Sequence, residues 1–233
     1  MKNQIVFLIL SICLSAFAQD TLPISKIKLK SQIFSLSPIS KKVEKVNGIV
    51  FGIGHFENRN IQNQTVNGLN LEANPTGLLF PIVLLSSMDK RFKLDNLVND
   101  FDTSKTIKVN GLNISTGGFS SNAVMNGINI STITAMHKMN GFSISAFIVA
   151  SQRTNGLSIA GFYNGNYRTV GAQIAMMNYC NDLKGAQIGL YNNCAQSMTG
   201  IQIGLLNISE KTRGLQIGLL NINKKKALPF INF

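Results

Sequence analysis

The sequence predicts an all-β protein made of tandem 14–15-residue repeats, and three observations carry that expectation. Glycine recurs at 111, 127, 141, 156, 171, 185, 200 and 214, at intervals of 16, 14, 15, 15, 14, 15 and 14 residues. Three residues after each of these eight glycines stands isoleucine, from Ile114 to Ile217. Between the two lies an Asn, Ser or Gln, so apolar and polar residues alternate with the period of a strand. A fixed period of this length marks stacked supersecondary units rather than a composition bias.

The unit is clearest near the C-terminus, as GLQIGLLNIN from Gly214, GIQIGLLNIS from Gly200, GAQIGLYNNC from Gly185 and GAQIAMMNYC from Gly171. Leu215, Ile217 and Leu219 alternate with Gln216 and Gly218, a half-buried strand pattern. The adjacent pair Leu219-Leu220 breaks it, which predicts a bend or bulge just before Asn221. Asn178, Asn192, Asn207 and Asn221 keep one phase, and Asn tolerates the left-handed backbone of tight bends. Glycine at the head of the unit serves the same need without a Cβ. Helix is a poor fit to glycine every 14 to 15 residues around a β-branched centre. Upstream, Val46-Asn47-Gly48 and Val66-Asn67-Gly68 open in the same way. Residues 46–233 are thus expected to form the repeat domain, with an inserted loop at 74–108 and a lysine-rich cap at 19–45.

Two folds suit such an array. In a β-solenoid, stacked units share one interior; here that reading places Ile ladders inside and Gln or Asn ladders at the surface and bends. The polar half of each unit favours two units per coil, about 29 residues, over a single unit. The alternative is an antiparallel outer-membrane β-barrel, with Leu and Ile toward lipid and Gln, Ser and Gly toward the lumen. Missing aromatic girdles and short turns on both sides weigh against the barrel.

The N-terminus gives an address. Met1-Lys2-Asn3 is a short positive start, Ile5 to Ala16 is almost wholly apolar, and Ala16-Phe17-Ala18 is a small-x-small cleavage site, so residues 1–18 read as a secretory signal. A lipid anchor at Cys13 would follow bulky Ile12, where a small residue is usual. Cys180 and Cys194 are then the remaining cysteines, in a compartment that permits disulfides. One unit per coil would bring them within a strand spacing, close enough to bond. Paired coils or a barrel would separate them, and the preference for paired coils makes free or partly exposed thiols the expectation. Zinc would need further ligands, and His55 and His137 are distant in sequence.

Chemistry is thinly represented. The ten acidic residues form no pair at motif spacing within the array. His137 reads as a solvated residue between units rather than a general base. Asp100-Phe101-Asp102 lacks the later acidic ligand and turn glycine of a calcium loop. Gly52-Ile53-Gly54 is too short to cradle phosphate. The Asn-x-Ser/Thr sequences at Asn63, Asn113, Asn129 and Asn207 read as polar ladders beside strands rather than glycan acceptors. No catalytic, cofactor-binding or metal residue is assigned, and no cofactor is expected.

The net charge of +12 is more informative. Basic residues cluster at Lys26, Lys28 and Lys30, at Lys41, Lys42 and Lys45, and at Lys224, Lys225 and Lys226. They protect sheet edges, and they could also attract anionic envelope lipids or polysaccharides. Nucleic-acid binding would need stacking aromatics interleaved with the bases, a pattern the sequence lacks.

At Gly171 to Asn221, and more loosely from Gly111 to Asn164, the chain resembles bacterial surface-repeat proteins, whose copies read Gly-x-Gln-Ile-Gly-Leu-x-Asn. The ending Leu228 to Phe233 is similar to that family's terminal unit. The resemblance implies an envelope or surface location and no known enzymatic activity, and it brings no site residues. Taken together, the expected protein is an exported, non-enzymatic envelope or surface repeat protein with a structural or adhesin-like role. It would sit at the outer membrane or cell surface or in the periplasm, with peripheral or integral membrane association. The rival from another class is an exported hydrolase with a polar cluster in residues 74–108.

Overall fold

The computed structural model describes residues 30–37, 39–40, 42–53, 64–73 and 107–233. These residues form one ten-stranded sheet whose spatial order is its sequence order: β1 (Lys30–Ser37), β2 (Val43–Ile53), β3 (Thr65–Ala73), β4 (Ile107–Ser115), β5 (Phe119–Ala160), β6 (Tyr163–Ile174), β7 (Met177–Ile188), β8 (Tyr191–Ile203), β9 (Leu206–Asn223) and β10 (Ala227–Asn232). Neighbours pair in parallel from β1 to β9, and only β10 runs antiparallel. The architecture is a parallel β-solenoid, not a barrel.

One repeat makes one coil. Gly156 pairs with Gly171, Gly171 with Gly185, Gly185 with Gly200, and Gly200 with Gly214. The expected two-unit coil is therefore wrong. The glycines form a corner column, and Gly200 shows why no other residue serves there. Its φ is +138°, which L side chains rarely adopt, and a Cβ would run into the carbonyl oxygen of Gly185 one coil below. The expected break before the repeat Asn appears as a bend at 161–162, 175–176, 189–190 and 204–205, whereas Leu219-Leu220 before Asn221 stays in β9 and breaks only the register of its pairing with β10. The asparagines themselves are not left-handed: Phe230 is the one non-glycine residue with positive φ among those described.

The faces are the reverse of the sequence expectation. Ile188, Ile203 and Ile217 point outward and remain 40%, 38% and 37% exposed, whereas Gln187, Gln202 and Gln216 are fully buried. Inside, the repeat Asn forms one ladder: Asn178 Nδ2 donates to Asn192 Oδ1 at 2.8 Å, Asn192 to Asn207 at 2.8 Å and Asn207 to Asn221 at 2.7 Å. The Gln column forms a second. Gln187 Nε2 donates to Gln173 Oε1 at 2.9 Å, Gln202 to Gln187 at 2.7 Å and Gln216 to Gln202 at 2.8 Å. The Asn ladder donates toward the C-terminal end and the Gln ladder toward the N-terminal end, so their amide dipoles oppose.

The second proton of each amide is used as well. Asn192 Nδ2 also reaches Ile203 O at 2.9 Å, and Gln202 Nε2 crosses to Ile208 O at 3.1 Å. An isolated buried amide costs several kcal/mol, but one satisfied on every side costs little and gains from the low dielectric around it. The pleat explains the remaining inward positions. Gly204 and Gly218 face a lumen so narrow that a Cβ on Gly218 would strike Asn207 Nδ2 and Gly204 O. At this level of the coil the lumen cannot take the Leu and Ile that alternate with Gln202 and Gln216.

Upstream coils fill the same lumen differently. Val46, Val66, Val109, Met125 and Met139, each two residues before a glycine, join Phe119 and Met136 in an apolar cluster. Beside it runs a short amide ladder, Asn70 to Asn113 to Asn129. β10 closes the C-terminal end: Asn232 Nδ2 donates to Gln216 Oε1 at 3.0 Å and to Asn221 O at 3.2 Å, which terminates the Gln ladder. At the other end, β1 pairs with β2 as the first strand of the stack, so residues 30–37 of the expected cap belong to the sheet. Of the expected insertion, Ile107 and Lys108 are strand and 74–106 lie outside the described residues; β3 and β4 on either side are direct neighbours.

Candidate functional site

The outer surface of the solenoid divides by position in the repeat. One and three residues after each glycine, side chains point out and are apolar: Ile49 and Phe51, Ile128 and Ile130, Phe142 and Ile144, Ile201 and Ile203, Leu215 and Ile217. Along the adjoining bend runs a ridge of Phe147, Phe162, Met176, Leu190, Leu205 and Leu219, between 40% and 62% exposed. Ten glycine levels at the usual strand spacing of about 4.8 Å make this wall roughly 40 Å long. Soluble monomers rarely leave so continuous an apolar surface uncovered.

The charges occupy another wall. From Lys108 to Arg213, every Lys, Arg, Asp and Glu stands four, three or one residue before a glycine. Three before, the column contains Lys45, Lys108, Lys138, Arg153, Arg168, Asp182 and Lys211. Parallel pairing sets Arg153 directly beside Arg168, and Arg168 beside Asp182. One residue before the glycines, Asn47, Asn67, Asn110, Asn126, Asn140 and Asn155 form an outer amide ladder at 2.7–2.8 Å. On this wall Lys45, Lys108, Lys138, Arg153, Arg168, Lys184, Lys211 and Arg213 stand against Glu44, Asp182 and Glu210, so it is cationic. At the C-terminal cap, Lys224 pairs with Glu210 at 3.1 Å, and Lys226 lies 4.4 Å from the centre of the exposed Phe233 ring.

Among the described residues, those weighed in the sequence for chemistry do not converge. Cys180 and Cys194 are register partners on adjacent coils, fully buried in the lumen, and both are free thiols. Free thiols were expected because a paired coil would separate them; that reason fails, since the single-unit coil sets them side by side, and they are not partly exposed. A hydrogen bond with Cys194, and then burial, holds the Cys180 thiol well above its ordinary pKa. Such a thiol is a poor nucleophile. His137 lies inside strand β5 on the charged wall, half-buried, with Nδ1 unbonded, rather than in a linker between strands. Asn113, Asn129 and Asn207 are ladder residues of the lumen. Gly52-Ile53 continues β2. Asp100-Phe101-Asp102, His55, Asn63, Gly54 and residues 1–18 lie outside the described residues. Among the described residues, no group of three His, Cys, Asp or Glu side chains is placed to hold a metal ion.

Sequence reasoning missed the wall structure, although its signal was present. Charges avoid the first nine positions after every glycine that heads a repeat, from Gly111 to Gly214. That phase-locked segregation assigns them to one side of a single-unit coil, and it is invisible until the coil length is known. No family model, curated protein or solved structure matches the chain.

Proposed function

We propose that this is an exported, non-enzymatic envelope protein whose apolar wall lies against a lipid surface. The observation that carries the reading is the uncovered Ile, Leu and Phe wall, uncharged over every coil, beside a wall that holds the cations. A flat apolar face flanked by basic groups is the pattern of a peripheral membrane surface binder. The end of the stack fits the same role. Phe230 and Phe233, 69% and 75% exposed, stand with Lys224, Lys225 and Lys226, which supply apolar insertion and attraction to anionic head groups. The secretory start and the likeness to surface-repeat proteins support an outer-membrane or surface address. The structural or adhesin-like role rests on the repeat array and its likeness to surface-repeat proteins.

Flotation of the mature protein with anionic vesicles tests this. The variant Ile203→Ser, Leu205→Ser, Ile217→Ser changes only outward residues, so it should keep its circular dichroism spectrum and lose most vesicle binding. A wild type that does not float at low salt, or a folded variant that floats equally well, removes the lipid reading.

A further inference from the structure

We propose that the cationic wall is a binding track for a linear, carboxylate-bearing polysaccharide, centred on Arg153, Asn155, Tyr167 and Arg168. The inference goes beyond the lipid reading, which uses the cations only as a flank of the apolar wall, and rests on features particular to this patch. Four features of this patch converge. Arg153 and Arg168 are direct register partners, so two guanidinium-bearing side chains leave the sheet about 4.8 Å apart. Like charges placed directly opposite destabilise a sheet, and neither arginine has an ion-pair partner among the described residues. Asp182, the next residue in the column, instead accepts a hydrogen bond from Ser197 Oγ at 2.5 Å. Two adjacent arginines without an ion pair, with Asp182 beside only one of them and bonded to Ser197, form a ready fork for carboxylates.

The outer amide ladder ends beside them. Asn155 Nδ2 donates to Asn140 Oδ1 at 2.8 Å, but the next residue in that column is Val170. Asn155 Oδ1 is therefore a carbonyl that accepts no hydrogen bond among the described residues, on a half-exposed side chain. It lies two residues along the chain from Arg153, placed for a hydroxyl donor. Tyr167, 57% exposed and adjacent to Arg168, adds a ring with an apolar face and a polar tip. Anion fork, hydroxyl acceptor and ring together match a uronic acid unit, which has a carboxylate, hydroxyls and an apolar ring face.

The shape extends the match from one sugar to a polymer. Lys45, Lys108, Lys138 and Lys211 stand in the same column above and below the patch, along a line parallel to the stack axis. A repeating linear anion can follow such a line. Nucleic acid fits less well, because base stacking calls for a series of aromatics, whereas the column beside the cations offers His137, Gln152, Tyr167, Asn181 and Gln196.

Binding of the full mature chain to polygalacturonate, with neutral dextran and duplex DNA as comparison probes, tests the assignment. Wild type should bind polygalacturonate at low salt and ignore dextran. Arg153→Gln with Arg168→Gln should weaken binding by about tenfold or more, as expected for loss of two charge-assisted contacts. Lys224→Gln with Lys225→Gln removes the same charge at the cap and should change affinity less than about threefold. Tyr167→Ala, which removes no charge, should weaken binding with an unchanged salt dependence and leave vesicle flotation as in wild type. Three results overturn the proposal: no polygalacturonate binding at low salt, equal losses in the two double variants, or tighter binding to DNA than to polygalacturonate.

Discussion

The upstream coils, Val43 to Asn140, and the downstream coils, Gly171 to Asn223, solve one geometric problem with different side chains. Both have glycine at the corner, and both must fill a lumen of the same small cross-section. Upstream, valine, methionine and Phe119 fill it, and Asn70, Asn113 and Asn129 supply a single amide ladder. Downstream, the residue two after glycine lengthens from Asn to Gln and reaches across the lumen to a carbonyl on the other side, as Gln216 does to Ile222 O at 3.2 Å. A second ladder of Asn runs beside it, and a smaller apolar cluster of Cys180, Leu183, Cys194 and Met198 keeps the position two before the glycine apolar at Leu183 and Met198. Between the two lie short hydroxyls, Ser143 and Ser158 in the Gln column and Thr154 and Thr169 before the glycines. A narrow solenoid interior can therefore be apolar or polar, provided each buried amide finds a copy of itself one coil away.

The largest expected effect is one the two regions share. Gly111→Val and Gly200→Val both put a Cβ into the carbonyl of the coil below, at φ of +133° and +138°. Each should cost more than about 4 kcal/mol and abolish a cooperative thermal melt followed by circular dichroism. A mild effect at either site would show that the corner column is not common to both halves.

The next effect separates them. Gln202→Leu removes the donor to Gln187 and the acceptor of Gln216, and should cost about 2–4 kcal/mol in urea unfolding. Met125→Gln puts a lone amide into the apolar cluster around Phe119 and should cost about 1–3 kcal/mol. If Met125→Gln were neutral, the cluster around Phe119 would not be the apolar packing described.

Outward positions should matter less. Ile203→Ser changes a side chain that is already 38% exposed and should cost about 1 kcal/mol or less. Should Ile203→Ser prove costlier than Gln202→Leu, the assignment of faces would be reversed. The smallest effect concerns the thiols. Cys180 and Cys194 should resist a thiol reagent in the native state and react on unfolding. Because the Cys180 pKa is raised in the fold, its proton is retained where the unfolded chain's thiol has lost it. Its contribution is thus complete below the ordinary thiol value of 9.0 and makes stability fall as pH rises beyond it. Cys180→Ser should flatten that slope.

Much of this organisation was legible beforehand. The glycine period, the strand after each glycine, the bend before Asn178, Asn192 and Asn207, and the polar ladders at Asn113, Asn129 and Asn207 all follow from residue type and spacing. The two functional walls were not legible, because a residue's wall depends on how many units make a coil. Reading two units per coil scatters Arg153 and Arg168 onto opposite sides, whereas one unit per coil aligns them. The preference for paired coils rested on the view that a single-unit coil would have too little apolar material for its second side, which assumed an apolar interior throughout.

The sequence by itself determined the strand-and-corner unit. A glycine every 14 to 15 residues with alternating neighbours permits little besides stacked short strands. It could not choose which alternate set faces inward, because a period of two serves both faces equally. Only the tertiary structure decided that, through stacking. An amide alone in an interior is costly, and the sequence shows each unit's amides alone. When the coils stack in register, Gln173, Gln187, Gln202 and Gln216 satisfy one another in turn. The Ile and Leu side chains that alternate with those glutamines, such as Ile203 and Ile217, are left on the outside.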